Sequence, residues 1–114
     1  MLEIVDTVYL VALLRPSDAR HGEAVELLSG LGARRRVSQA ALIELDLLME
    51  SRGLSREERE RVWTLLAHLI PADAVEALAP SDFAVAVRLQ EERGMEYFDC
   101  LLYTSDAADD GESV

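Results

Sequence analysis

The sequence predicts an α/β fold in which a short parallel sheet is built from three strands. Candidate strands and helical segments follow one another in the order strand, helices, strand, helices, strand, helix. Alternation of this kind is typical of an open parallel sheet with right-handed crossovers. The chain is rich in Leu and Ala but has only one Trp, three Tyr and two Phe, which favours helices over an all-β sandwich or barrel. Its 114 residues are enough for one domain with a single core.

Three short segments are the candidate strands. Residues 2–5 are a mostly apolar run, typical of a buried strand in a parallel sheet. Residues 35–38 and residues 74–78 carry weaker patterns and are the expected second and third strands.

Capping residues mark the helices. Residues 8–14 predict a first buried helix, and Ser17 is a plausible N-cap for a second helix to about residue 29. Ser38 is expected to cap a third helix to about residue 52, with Gly53 just past its end.

Further along the chain, Ser55 and Glu58 have the spacing of a capping box, which predicts a helix to about residue 69. Ser81 is expected to start a helix through Arg93, and Asp99 to open one more. The residues expected on the inward face of the helix from Ser81 are Phe83, Val87 and Leu89.

Three acidic residues lie beside or within apolar runs. Asp6 follows the first strand, Glu44 lies in the apolar part of the third helix, and Asp99 precedes the last apolar run. Burying a charge costs several kcal/mol unless it is paired or binds a metal. In open α/β sheets, sites form beyond the carboxyl ends of the strands, where Asp6 is expected. The three acids therefore predict an oxygen-ligand site for Mg²⁺ or Mn²⁺.

Each acid also has a plainer interpretation. Asp6 could simply cap the first helix, and Asp99 the last one. Glu44 could face solvent beside Asp46.

Composition limits the other functions. A net charge of −11 argues against a broad electrostatic surface for nucleic acid. Binding of nucleic acid would need metal ions and the one basic cluster, residues 34–36, with Arg15 and Arg20 as further candidates. One Cys cannot build a disulfide framework. There is no apolar run of membrane-spanning length and no basic N-terminal region, so we expect a cytoplasmic protein without a membrane anchor.

Three segments resemble the leading motifs of PIN-domain ribonucleases, and in particular the VapC-type toxins of type II toxin–antitoxin systems. The segments are Ile4-Val5-Asp6-Thr7, then Ser38-Gln39-Ala40-Ala41-Leu42-Ile43-Glu44-Leu45, and Gly94-Met95-Glu96-Tyr97-Phe98-Asp99. The resemblance covers residues 1–99. These residues are expected to form a PIN-like domain with a three-layer α/β/α arrangement.

The resemblance implies Mg²⁺- or Mn²⁺-dependent endoribonuclease activity. Asp6, Glu44 and Asp99 would be the catalytic, metal-binding carboxylates, and Thr7 would support them. It also implies a cognate antitoxin as partner and a homodimer as the assembly.

The family pattern stops after Asp99. There the family has further strands and a fourth acid, which this sequence does not supply, so the C-terminal strands are expected to be missing and the chain could be inactive. Residues 100–114 resemble an in-frame translation of a sequencing adapter and are expected to be an acidic tail outside the domain. Sequencing the source DNA with a different library chemistry should give a different sequence in place of residues 100–114. If residues 100–114 reappeared, this expectation would be contradicted.

Two alternatives to the nuclease remain open. The chain could be a non-catalytic PIN-like module that binds a partner protein through its apolar helices. It could also be a small helical regulatory protein without a sheet.

Overall fold

Three short strands form a parallel sheet in which the second strand is central. The computed structural model describes residues 3–32, 34–97 and 99–101. Strands β1 (Glu3–Val5), β2 (Arg35–Ser38) and β3 (Val75–Glu76) lie in the order β1-β2-β3. Both pairings are parallel, and Val37 is in register with Val5 on one side and Val75 on the other. The parallel α/β prediction is confirmed, and the helical alternative without a sheet is wrong.

The third strand is shorter than the sequence predicts. Residues 74–78 were expected to be extended, but a 3₁₀ turn occupies Ala72–Ala74 and the strand covers only Val75–Glu76. The neighbouring strand explains its end, because β2 stops at Ser38, opposite Glu76. Beyond that point the backbone N–H of Leu78 donates to the side-chain Oε1 of Gln39 at 2.9 Å.

Helices cover the sheet and connect its strands. They are α1 (Thr7–Leu14), α2 (His21–Ser29), α3 (Gln39–Ser51), α4 (Arg56–Leu69) and α5 (Pro80–Arg93). Residues 97 and 99–101 are also helical. No helix in the described part of the chain combines the length and the apolar character that a bilayer crossing requires.

Local capping chemistry sets several helix boundaries as predicted. The Ser38 side chain accepts a hydrogen bond from the N–H of Ala40 at the start of α3. Ser55 and Glu58 form the complete capping box of α4. Gly53, just past α3, has a φ of 84°, a left-handed conformation that glycine adopts without steric cost.

Two helix starts differ from the prediction. Helix α2 begins at His21, not after Ser17, because the Asp18 carboxylate accepts from the N–H of Arg20 at 2.8 Å and holds the preceding residues in turns. Helix α5 begins at Pro80, one residue before Ser81, because the Asp82 carboxylate accepts from the N–H of Ala79 at 2.8 Å.

The predicted inward face of α5 is largely wrong. Phe83 and Val87 are 38% and 54% exposed, whereas Ala86 and Leu89 are buried. Ala86 belongs to the same buried cluster as Ala40 of α3. The small side chains of Ala40 and Ala86 let α3 and α5 pack together. The face of α5 that carries Ala86 is therefore buried, and the face that carries Phe83 and Val87 is exposed.

Helix α3 separates two buried clusters. The larger cluster includes Val5, Val37 and Leu45. The smaller one contains Ala40 together with Ala86, Leu89, Cys100 and Leu101. Cys100 and Leu101 therefore belong to a core, although we expected the domain to end at residue 99.

A charged network joins α3 to α4. The Asp46 carboxylate accepts from Arg59 Nη2 at 2.7 Å and from the Trp63 indole N–H at 2.8 Å. Hydrogen bonds from Arg59 first, and then from Trp63, lower the pKa of Asp46 below its ordinary value. Because these bonds favour the charged form, they stabilise the fold only while Asp46 is ionised.

We predict that Asp46→Asn lowers the free energy of unfolding at neutral pH by about 1 kcal/mol, since the pair is partly exposed. The contribution of Asp46 is present above its unfolded-state pKa, near 3.8. It is lost as pH falls through the lower folded-state pKa. Urea titrations from pH 7 to pH 2.5 should therefore show that the free energy of unfolding falls less with decreasing pH in the variant than in the parent.

Glu50→Gln is the matched control, because Glu50 contacts the same Arg59 at 3.5 Å through a 65% exposed side chain. It should change stability little. Equal losses for the two variants would contradict the assignment of the Asp46 network as the link between α3 and α4.

Candidate active site

Asp6 and Ser38 lie at the carboxyl ends of neighbouring strands. Val5 is in register with Val37, so the residues that follow them reach the same level of the sheet. Helices α1 and α3 both begin at this edge, directly after Asp6 and Ser38. This is the edge at which open α/β sheets form their sites.

Asp6 caps α1. One carboxylate oxygen, Oδ1, accepts from the N–H of Val8 at 3.0 Å, and the side chain is half-buried. Its negative charge also acts on Tyr9, one helical turn away. The pKa of Tyr9 is raised first by Glu23 and, to a smaller extent, by Asp6. The capping interpretation is thus confirmed, but one bond to one oxygen leaves the carboxylate with further acceptor capacity.

Glu44 lies on α3 between the two buried clusters. It follows Ala40 by four residues and Ala41 by three, and these two alanines belong to the inner surface of the helix. The side chain is half-buried and has no hydrogen bond or ion pair with another described residue. It is therefore a partly desolvated carboxylate without a cation among its described neighbours.

Asp99 is exposed and lies inside the first turn of the last helical segment. The N–H of Cys100 donates to the carbonyl of Glu96 at 3.0 Å, so the helical turn begins before Asp99 and not at it. The N-terminal turn of a helix still favours an anion. Cys100, the next residue, is buried in the cluster that also contains Ala40.

The topology connects the elements that carry the three acids but closes no set of metal ligands among the described residues. Asp6 lies at the sheet edge, Glu44 is one helical turn beyond Ala40, and Asp99 adjoins Cys100, which shares a cluster with Ala40. Within the ranges that the structure describes, no group of three or more His, Cys, Asp or Glu residues is arranged to hold a metal ion. The role of these acids as metal ligands stays a prediction.

Thr7 supplies an independent indication that the edge is incomplete. Its Oγ1 atom is buried and has no hydrogen-bond partner. A buried hydroxyl without a partner costs about 1–3 kcal/mol. Carboxylate and hydroxyl oxygens are the ligand chemistry of Mg²⁺ and Mn²⁺, so the residues at this edge fit a hard divalent cation.

The basic run is less available for nucleic acid than the sequence indicated. Arg35 Nε lies 2.8 Å from a Glu3 carboxylate oxygen, and Arg36 Nη1 lies 3.0 Å from one of Glu76. Two of the three arginines thus lie in a strand and are paired with acids. Arg34 is exposed.

Glu76 is the residue at this edge that the sequence reasoning missed. It pairs with Ser38 in the sheet and with Arg36 through its side chain. Nothing in the local pattern distinguished it from the other acids, because its position depends on the pairing of β3 with β2.

The two histidines do not join the site. A ring nitrogen of His21 lies 2.9 Å from the carbonyl of Ala12, and one of His68 lies 2.8 Å from the carbonyl of Thr64. Both rings therefore lie within hydrogen-bond distance of backbone carbonyls.

We predict that Thr7→Val raises the free energy of unfolding of the metal-free protein by about 1 kcal/mol, because valine has nearly the same shape and no unpaired hydroxyl. Thermal unfolding in EDTA measures this change. If Thr7 supports the cation site, the same substitution weakens Mn²⁺ binding. Thr64→Val is the control, since Thr64 Oγ1 donates to the Glu60 carbonyl at 2.8 Å and its loss should not stabilise the chain. A destabilised Thr7→Val protein would show that the Thr7 hydroxyl is satisfied.

Comparisons with known proteins support the fold. No protein-family model matches the chain, and no curated protein matches it. Among solved structures it is similar to VapC20, a sarcin–ricin loop cleaving toxin of Mycobacterium tuberculosis, with a TM-score of 0.69 and 19% sequence identity. The match covers 93% of this chain and 82% of VapC20. At this level of identity the likeness concerns the fold, and the chain accordingly has a PIN-like α/β fold with a short parallel sheet.

Proposed function

We propose that this chain is a divalent-metal-dependent endoribonuclease, the toxin component of a toxin–antitoxin pair. Asp6, Glu44 and Asp99 would bind Mg²⁺ or Mn²⁺. The observation that carries the proposal is the position of Asp6, at the carboxyl end of a parallel strand and beside the buried, unpartnered hydroxyl of Thr7. The similarity of the fold to VapC20 supports it.

Electrostatics explains why this site would need a cation. The chain carries a net charge of −11, and neither Glu44 nor Asp99 has a cationic partner among the described residues. An RNA phosphate approaching these carboxylates would be repelled. A divalent cation held by these carboxylates would offset that repulsion and supply positive charge for the phosphate.

Each residue has a separate task in this proposal. A bound divalent ion supplies charge stabilisation for displacement at phosphorus. Asp6 offers a carboxylate oriented by its bond to the Val8 N–H, and Glu44 offers one on the rigid helix α3. Asp99 is the most exposed of the three and would meet substrate from solvent. Thr7 Oγ1 would orient a neighbouring oxygen ligand by hydrogen bonding.

A protein partner is proposed from the outer surface of α3 and α4. Ile43 and Leu47 lie one turn apart on α3 and are 42% and 48% exposed. They line a groove with Leu42 and Trp63. Exposed apolar side chains at this spacing suit an amphipathic partner helix, so we propose an antitoxin segment or a second copy of the chain as partner.

The same surface also favours the second candidate function, a non-catalytic interaction module. The two functions differ in their need for metal. A module would bind its partner protein equally well in EDTA and in Mn²⁺ and would not cleave RNA, whereas the proposed nuclease would cleave RNA only with the ion.

We predict that Asp6→Asn abolishes Mn²⁺-dependent RNA cleavage, a loss of at least about 100-fold. The fold should persist, because Asn is as good an N-cap as Asp. Cleavage of a structured RNA library at fixed ionic strength, with and without Mn²⁺, measures the effect.

Asp18→Asn is the matched control, because Asp18 also accepts from the backbone N–H two residues later, at 2.8 Å, and has no proposed part in catalysis. It should cleave as the parent does. Full activity of Asp6→Asn would remove Asp6 from the mechanism, and ion-independent cleavage by both variants would contradict the proposed function.

A further inference from the structure

An apolar cavity lies at the opposite end of α1 and α3 from the candidate active site. Its volume is about 240 Å³. The apolar residues that line it are Val11, Leu14, Leu45, Leu48, Met49, Leu54 and Val62. Since α1 and α3 both begin at the sheet edge with Asp6 and Ser38, a cavity between their final turns is separated from that edge by the length of the helices.

Two arginines line this otherwise apolar cavity. Arg15 is the C-cap residue of α1 and Arg52 that of α3, and both line the cavity. Both are exposed, and neither guanidinium is paired with a carboxylate in the part of the chain that the structure describes. By contrast, Arg35, Arg36 and Arg59 each bond a carboxylate.

Apolar walls with cationic groups at the rim complement one kind of ligand. The walls favour a hydrocarbon chain, and guanidinium groups bind carboxylates with strong, charge-assisted hydrogen bonds. At about 30 Å³ for each water-sized group, the cavity accommodates on the order of eight such groups. An anion therefore suits a cavity that two arginines line.

We propose that this cavity binds a medium-chain aliphatic carboxylate, with its chain among Leu45, Met49 and Val62 and its head group at Arg15 and Arg52. This site is independent of the proposed nuclease function. It needs no metal and shares no residue with the candidate active site.

The test is calorimetric titration of the whole chain in EDTA with octanoate, with 1-octanol as the neutral ligand of equal chain length and butyrate as the short anion. We expect octanoate to bind with one-to-one stoichiometry, and octanol and butyrate about tenfold or more weakly. Equal binding of octanoate and octanol would overturn the role of the arginines. Absence of octanoate binding would overturn the site.

Substitutions locate the binding. Arg15→Gln and Arg52→Gln should each weaken octanoate about tenfold and leave octanol unchanged. Arg88→Gln, an exposed arginine on α5, should change neither. Loss of stability without loss of octanoate affinity in the Arg15 and Arg52 variants would show that these residues serve the helix C-termini only, and would overturn the proposal.

The apolar part is tested by Leu48→Phe, in which a larger side chain fills the cavity from a half-buried position. Both octanoate and octanol should then lose binding, with circular dichroism confirming the fold. If the filled variant is unfolded, chemical-shift changes of the Met49 and Val62 methyl groups in the parent protein on addition of octanoate give the same information. Unchanged methyl signals at saturating octanoate would contradict the assigned location.

Discussion

The placement of Val37 at the centre of the sheet is the constraint on which the rest of the structure depends. Val37 is fully buried and pairs with Val5 on one side and Val75 on the other. Because a shift by one residue would turn its side chain to the other face, this register is strongly specified. It follows that β1 and β2 end at the same level, that α1 and α3 start together, and that Asp6 lies at the edge where a site can form.

This arrangement also bears on the proposed cation site. Asp6 and Glu44 are half-buried, and Thr7 presents a buried hydroxyl without a partner. Elsewhere in the described ranges, Asp46 is matched by Arg59 and Glu76 by Arg36, whereas the half-buried Asp18 and Asp82 accept from backbone N–H groups, as Asp6 does. Among the half-buried acids of the described ranges, Glu44 alone has neither an arginine nor a backbone N–H partner, and this supports the proposed ion site.

Local chemistry made much of the fold predictable, and long-range pairing explains the errors. The helix caps at Ser38 and Ser55 could be predicted from the sequence because each capping hydrogen bond joins residues at most three positions apart. The early end of β3 depends on where β2 stops, and the inward face of α5 depends on Ala40, which lies more than forty residues away. The candidate acids were found from their positions after apolar runs, whereas Glu76 could be placed at the same edge only once the pairing of β3 was known.

The most direct test of the central claim is a Mn²⁺ titration followed by NMR, since the paramagnetic ion broadens the signals of the residues nearest to it. The account predicts that the backbone signals of Asp6, Glu44 and Asp99 broaden together and at the lowest Mn²⁺ concentration. The exposed acids Glu57 and Glu60 on α4 should broaden later. Earlier broadening on α4, or separate broadening of the three acids, would contradict a shared cation site.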